Sequence, residues 1–403
     1  MIAQAAALRS LRTTNFALLW SAQLVSGFGD EVTVVALAFV TWQITHSALS
    51  TVVAILLTTV PYGLFYFIGG AVADALGHLR AMIACDLIRV VAIGTIPAVL
   101  AVGAPLPVAY ALVLVAAVCA TIFNPARLGL VPELVPPEEL TAGNSMVYAS
   151  DRTVDIAGAA AAGVVVAALG TAAFYVDAAT FVVSAALLTR IAVAPTPLRP
   201  LHVARIAREA ADAVRFLAHN AVLRANVVFS LLGQLSIPVL NGLTPVLIFR
   251  DYGLGAGQFG IAEAAVAAGA VAGGVALPSF LRRLPKGRLL ILGFAAFGAM
   301  LVAIAAAPTF EVAMLLFVVA GVANVLFYVP NVTITQELAP SEMRARVFGV
   351  RLSLLNLTWL PIVIGIGVAA DFESAKALLA LAGGFTLLVA VAGSVIPIVR
   401  DVE

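Results

Sequence analysis

The sequence predicts an all-α membrane protein with twelve transmembrane helices arranged as two pseudo-symmetric six-helix bundles. Hydrophobic residues make up 63% of the 403 residues and charged residues only 11%, whereas soluble domains contain roughly 45–50% and 25%. Long apolar stretches recur along the whole chain, and short motifs of the first half return in the second. A soluble fold could not hide this much apolar surface, so the solvent of most of the chain must be lipid.

Twelve stretches have the length and composition of spanning helices, which need about 20 mostly apolar residues. Only Pro308 and Thr309 separate the ninth stretch from the tenth, so eleven helices remain an alternative. The predicted limits are 15–40, 47–70, 83–101, 106–123, 143–168, 171–191, 225–248, 258–280, 288–307, 309–334, 347–369 and 375–398.

Basic residues concentrate in alternate connections between these stretches, and only Arg250 and Lys376 fall in the connections on the other side. The positive-inside rule therefore predicts that both termini are cytoplasmic in a cell inner (plasma) membrane. The longest connection begins Pro-rich and then becomes amphipathic, with Ile206, Ala213 and Leu217 at helical spacing. We expect an N-terminal bundle over 1–191, a cytoplasmic linker with an interfacial helix over 192–224, and a C-terminal bundle over 225–403.

The two halves resemble each other in sequence. Phe123, Glu133 and Pro136 return as Phe327, Glu337 and Pro340, always 204 residues later (327 minus 123), and the Gly69-Gly70 pair returns at the same offset. Internal duplication of this kind is typical of secondary transporters, whose substrate site lies between the repeats.

Composition and residue types exclude several other classes. The 22 basic and 21 acidic residues nearly balance, so no basic excess is available for nucleic acid. Cys85 and Cys119 lie in apolar runs and read as small buried hydrophobes, the four histidines form no metal or acid–base pair, and no lysine ends a phosphate-binding loop. We therefore expect no enzyme activity, no cofactor and no metal site.

The loop after the second span runs from Gly70 through Asp74 and Gly77 to Arg80. This pattern resembles the cytoplasmic loop motif of the major facilitator superfamily, and the resemblance extends over essentially the whole chain. It implies alternating access between the two bundles and a cytoplasmic gate of Gly70, Asp74, Gly77, Arg80, Asp86, Arg89 and Arg127. Mere topology anchoring is the alternative for Arg80 and Arg127.

Three further segments are similar to the drug-exporter branch of that superfamily, which includes macrolide and siderophore exporters and lysophospholipid flippases. They are Phe123–Arg127 with the following Leu134-Val-Pro136, Asp86–Arg89, and Ser26–Asp30. The resemblance implies a monomeric proton-coupled exporter of small amphiphilic compounds that works among membrane lipids. A lysophospholipid flippase, a siderophore exporter, an uptake carrier, a channel and a non-transporting receptor are the alternatives.

Asp30 and Glu31 lie near the middle of the first span, where an ionised carboxylate costs roughly 2.5–3.5 kcal/mol. Two adjacent acids repel each other in a dry environment, which favours a proton on at least one of them near neutral pH. The pair is therefore a candidate proton carrier, with Asp30 as the first choice. The alternative is a simple ion pair with Arg152 of the fifth span.

The fifth span carries Asp151 and Asp155 one helical turn apart on one face, beside Arg152. We expect either a proton relay or a cation site formed with Asp30, or else an internal salt-bridge network. Two lone acids lie elsewhere, Asp177 in the sixth span, expected to be structural, and Glu263 in the eighth, a candidate for substrate or proton.

Uncharged polar residues at mid-depth characterise the second half. A cavity that combined them with Asp30 would suit a lipophilic cation or zwitterion, although interhelical hydrogen bonds are an equal alternative. The predicted cavity residues of this half are Gln234, Asn241, Asn356 and Trp359, together with Glu263.

Overall fold

The computed structural model describes residues 14–136, 139–193, 203–281, 284–340 and 344–402, which are almost entirely helical and contain no strand. The Pro-rich start of the linker, with Pro195, Pro197 and Pro200, lies outside the described residues, as do the basic residues Arg9, Arg12, Arg199, Arg282 and Arg283.

Sixteen helices follow one another along the described chain, with short π-helical or 3-10 turns between some of them. They are α1 (Thr14–Thr45), α2 (Ala48–Leu76), α3 (His78–Ala101), α4 (Leu106–Leu134), α5 (Leu140–Thr153), α6 (Ala159–Leu169), α7 (Ala173–Leu188), α8 (Val203–His219), α9 (Ala221–Gly233), α10 (Ser236–Val246), α11 (Ala256–Leu281), α12 (Lys286–Ala305), α13 (Phe310–Leu338), α14 (Arg344–Phe372), α15 (Ala375–Val395) and α16 (Pro397–Arg400).

Eleven helical stretches of the described residues are long and apolar enough to cross a membrane. One of them, Ser150–Leu188, contains the predicted fifth and sixth spans. Gly170 interrupts it, because a φ of 54° and a ψ of −126° lie outside the helical region. The ninth and tenth spans, which the sequence could have merged, are separate helices. Counting the two parts around Gly170 separately gives twelve spans.

The first compact unit consists of Met1–Val40 and Leu57–His202. Its helix α3 packs along both α4 and α7. Large apolar side chains of α1, α3 and α4 fill the core, among them Phe16, Met82 and Phe123. At Gly69, α2 approaches the backbone of α4 so closely that a side chain would collide with the Thr121 carbonyl group.

The second compact unit consists of Thr41–Leu56 and Val203–Glu403. Helix α12 packs along α13 and α15, and α11 packs along α13. In its core the Phe294 ring stacks on Phe327 with centroids 4.6 Å apart. Asp371, near the end of α14, accepts the backbone N–H of Ala48 at 2.6 Å and so caps the first turn of α2.

The amphipathic part of the linker forms α8, which belongs to the second unit. Ala213 and Leu217 are buried against Val347 and Val350 of α14, while Arg208 and Arg215 are exposed. At Ala213 and Leu217 the predicted apolar stripe of this helix is therefore covered by protein.

Candidate functional site

A polar cleft opens into the first unit between α1, α2, α4 and α5. It has a volume of about 460 Å³ and carries four acidic and two basic side chains. Such a density of ionisable groups between apolar helices is a mark of function, since each charged group would be costly in hydrocarbon. The lining residues are Gln23, Gly27, Asp30, Glu31, Tyr62, Asn124, Arg127, Asp151, Arg152, Val154 and Asp155.

Arg127 and Asp151 form a bidentate ion pair in the cleft. The two terminal nitrogens of the guanidinium donate to the two oxygens of the carboxylate at 2.8 and 3.1 Å. Gln23 of α1 adds a third donor at 3.1 Å. This bidentate geometry holds α4, α5 and α1 together at one point and satisfies the charge of Asp151.

Asp155 lies in a π-helical turn, Val154–Gly158, that follows α5. Its carboxylate pairs with Arg152 at 2.8 Å, and about a third of its side chain is exposed. Single π-helical turns are frequent at functional sites because they change which residues share a helix face. Asp151 and Asp155 both line the cleft, so the predicted acidic face of the fifth span exists, and each acid has its own arginine.

Asp30 pairs with Arg89 of α3 at 2.5 Å and not with Arg152, which was the alternative considered from the sequence. The Arg89 side chain is only 4% exposed, whereas that of Asp30 is 43% exposed and lines the cleft. The neighbouring Glu31 also lines the cleft and lies against Gly158, where an added Cβ would stand 3.2 Å from its Cγ. Both acids of the first span therefore reach this cleft.

The predicted gate residues separate into two groups. Asp86 and Arg89 are buried in the interior of the first unit, where Asp86 accepts a hydrogen bond from Ser184 at 2.6 Å. Both side chains lie between α3 and its neighbouring helices. They are therefore separate from the predicted gate residues Asp74, Gly77 and Arg80 at the end of α2. Arg127 likewise belongs to the cleft.

At the end of α2, His78 bridges Asp74 and Glu133. Its ring nitrogens lie 3.1 Å from the carboxylate of Asp74 and 2.7 Å from that of Glu133. Asp74 and Arg80 are exposed, and Gly77 has a φ of 84°, which a glycine adopts without strain. The motif glycine thus permits the turn between α2 and α3.

Asp177 was expected to be a lone structural acid, but it is not isolated. It is 1% exposed and accepts hydrogen bonds from the hydroxyls of Thr33 and Thr180. It lines the same small inner cavity as Asp30 and Arg89. Its placement follows from Gly29, which leaves room for the Asp177 carboxylate beside α1.

The polar residues predicted for the second half lie in the second unit. Gln234 is buried where α9 ends, and Asn241 is half-buried in α10. Asn356 is buried and donates to the backbone oxygen of Leu352 at 2.9 Å. The indole nitrogen of Trp359 has no hydrogen-bond partner among the described residues. Glu263 of α11 is half-buried.

Sequence reasoning missed the roles of three polar residues of the cleft, Gln23, Tyr62 and Asn124. The Asn124 amide donates to the Tyr62 hydroxyl at 3.4 Å, which links α4 to α2. Asn124 is part of the Phe123–Arg127 segment quoted for the family resemblance, so its position in the motif was the available signal. Tyr62 follows Pro61 within α2 and carried no comparable signal.

Apolar helices of membrane length around a charged cleft define a multi-pass membrane protein, and its family match makes it a transporter of small molecules and not an enzyme. The chain belongs to the major facilitator superfamily. The model of the family named Major Facilitator Superfamily matches residues 19–362, and a second match covers residues 234–399.

One curated relative and several solved structures are similar to this chain. The multidrug efflux pump Tap of Mycolicibacterium fortuitum is 25% identical over 352 residues, which cover 84% of each chain. The nucleoside transporter NupG has a TM-score of 0.74 at 13% identity, covering 93% of this chain and 98% of its own. A POT family transporter in complex with 5-aminolevulinic acid has a TM-score of 0.75 at 12% identity, covering 94% of each chain. At these identities the solved structures show the fold alone.

Proposed function

We propose that this protein is a proton-coupled exporter of small amphiphilic cations that works by alternating access. The observation that supports this proposal most directly is the cleft of the first unit, which is lined by four carboxylates and two arginines. Arg127 and Arg152 line the cleft with these acids, and Arg89 pairs with Asp30 from the side of α3. Four carboxylates and three guanidiniums leave one negative formal charge, which a substrate cation or a proton can balance.

Asp30 is the proposed exchange site. Its side chain is partly exposed to the cleft on one side and paired with a buried guanidinium on the other. A substrate cation that reaches Asp30 from the cleft competes with Arg89 for the same carboxylate. Release of Arg89 on substrate binding is the event that couples substrate movement to proton movement in the opposite direction.

The similarity to a multidrug efflux pump favours export of drug-like compounds. We further propose that the protein lies in the inner membrane as a monomer surrounded by lipids, with both termini cytoplasmic, since basic residues dominate the connections on that side. Rearrangement of the Asp74–His78–Glu133 bridge is the proposed event at the cytoplasmic gate.

Transport in everted membrane vesicles tests this proposal, with ethidium as the fluorescent lipophilic cation. We expect an acidic lumen to drive ethidium accumulation, and we expect Asp30→Asn to lose it while the protein remains in the membrane. Asp212→Asn is the matched control, because it removes a carboxylate from the half-exposed Asp212–Arg215 pair on α8, far along the chain from the cleft.

Unchanged gradient-driven flux in Asp30→Asn would show that Asp30 has no proton role. Accumulation only under the opposite gradient would indicate uptake instead of export. Transport of a fluorescent lysophospholipid without transport of ethidium would replace the proposal with the flippase alternative.

A further inference from the structure

A small inner cavity of about 70 Å³ lies in the first unit next to the cleft. Asp30 and Tyr62 line both spaces, and Arg89 and Asp177 line only the inner one. The inner cavity is large enough for water and has polar groups to bind it. Asp30 therefore lies where the cleft and the inner cavity meet.

The charges around this inner cavity do not balance. Arg89 is the basic residue that faces it, and three carboxylates lie close enough to interact with that guanidinium, those of Asp30, Asp86 and Asp177. Asp86 and Asp177 are 0% and 1% exposed, and Arg89 is 3% exposed. An uncompensated carboxylate at such depth is strongly unfavourable, and one guanidinium can neutralise only one of the three.

Within the described residues, the hydrogen-bond donors to the carboxyl groups of Asp86 and Asp177 are all neutral. Asp86 accepts from the Ser184 hydroxyl, and Asp177 accepts from the hydroxyls of Thr33 and Thr180. Hydroxyl groups satisfy oxygen atoms without supplying positive charge. One oxygen of Asp86 has no hydrogen-bond partner within the described parts of the chain. A proton on each inner acid would remove the excess charge.

Arg89 is placed so that it can change partners. Its guanidinium lies over the Phe181 ring, 4.2 Å from the centroid, and a ring face supports the cation without fixing its direction. Its Nε atom has no hydrogen-bond partner in the described residues. Asp86 lies three residues before Arg89 on α3 and thus on the same helix face.

We propose that Asp177 and Asp86 hold the protons that are exchanged for substrate. Arg89 links them to Asp30, because it can move from the Asp30 carboxylate to one of these two acids. When a substrate cation binds Asp30, Arg89 is released and turns to one of the two protonated inner acids. That acid loses its proton and becomes the carboxylate that Arg89 neutralises, and the proton leaves through the inner cavity and the cleft. One positive charge enters and one leaves, so the net charge of the unit is unchanged.

This inference rests on the proposed function, which it deepens by separating the substrate site from the proton site. The titratable groups around Asp177 come from four helices. They are Asp30 on α1, Tyr62 on α2, Asp86 and Arg89 on α3, and, next to Asp86 and Arg89, the thiols Cys85 on α3 and Cys119 on α4.

Infrared spectroscopy tests the inner protons without any substrate. At neutral pH the wild-type protein should show the carbonyl stretch of a protonated carboxylic acid. Asp177→Asn should remove or diminish this band, and Asp212→Asn should leave it unchanged. Absence of the band in the wild type, or its full persistence in both Asp177→Asn and Asp86→Asn, would overturn the proposal.

Proton release on binding of tetraphenylphosphonium, a lipophilic cation, tests the exchange itself in lightly buffered detergent solution. Linkage predicts about one proton released per cation bound to the wild type. Asp177→Asn should still bind the cation with an affinity within about threefold, but its proton release should fall by at least about half. Unchanged release in this variant would refute a role for Asp177.

The two experiments distinguish failure of the proposed proton sites from failure of the proposed exporter function. If the wild type neither binds nor transports lipophilic cations, the proposed function fails, and the infrared band still decides whether the inner acids carry protons. If Asp177→Asn does not fold, Asp177→Glu keeps the acid and should preserve both band and release. Loss of both signals in a folded Asp177→Glu protein would contradict the exchange.

Discussion

Gly69→Ala should destabilise the first unit, whereas Gly70→Ala next to it should not. A Cβ at position 69 would lie 2.6 Å from the carbonyl carbon of Thr121 and closer still to its oxygen. Real Cβ atoms essentially never come within 3.0 Å of another heavy atom. At position 70 the nearest atom is the Cβ of Pro125 at 3.7 Å, an ordinary contact.

The expected magnitude follows from these contacts. The obstacle at position 69 is backbone and cannot rotate away, so α2 and α4 must separate, and overpacking of this kind costs about 3 kcal/mol at the upper end of its usual range. Alanine gains up to about 1 kcal/mol over glycine inside a helix. We therefore expect a net loss of about 2 kcal/mol for Gly69→Ala and a small gain for Gly70→Ala.

Thermal unfolding of the purified protein in detergent, followed by fluorescence, measures this difference. The paired design removes general effects of alanine, because both glycines lie in the same helix turn. Equal melting temperatures for the two variants would show that α2 and α4 are not in close contact at Gly69, and the packing argument would then fail.

Three further changes should also be measurable. Arg127→Gln leaves the charge of Asp151 uncompensated and should lower the stability measured by thermal unfolding by about 1–3 kcal/mol. Adding Asp151→Asn should recover part of this loss, and a double variant no more stable than Arg127→Gln would contradict the Arg127–Asp151 ion pair. Asp371→Ala removes the acceptor for the Ala48 N–H and should cost about 0.5–2 kcal/mol, measured by the same melting experiment, and an unchanged melting temperature would exclude a capping role. In Gly170→Ala the alanine must adopt a φ of 54°, which should lower stability by about 1–3 kcal/mol and reduce both yield and melting temperature. An unchanged melting temperature would show that residue 170 has ordinary helical geometry.

The helices were predictable because apolar length alone identifies a membrane span. The amphipathic helix α8 was also visible, since Ala213 and Leu217 recur at helical spacing and are buried as that spacing requires. The break at Gly170 was predicted as a boundary between two spans. Local composition carries this information, so no knowledge of tertiary contacts was needed.

The partners of the charged residues were not predictable to the same degree. The sequence offered Arg152 as the alternative partner of the acids in the first span, and Asp30 pairs instead with Arg89 of α3. The choice depends on how each helix is rotated about its axis and on which helices are neighbours, and neither is encoded in the local pattern of one span. The neighbours of Asp177 were not visible in the sequence for the same reason, since they come from α1 and α3 as well as from its own helix.

The close approach of α7 to α1 at Gly29 has an evolutionary consequence. A side chain at position 29 would occupy the space of the Asp177 carboxylate and the Thr180 hydroxyl. Homologues that carry a larger residue at 29 should therefore lack the acid at 177, and those that keep the acid should keep the glycine. The two positions should covary across an alignment, although neither residue type would suggest the other.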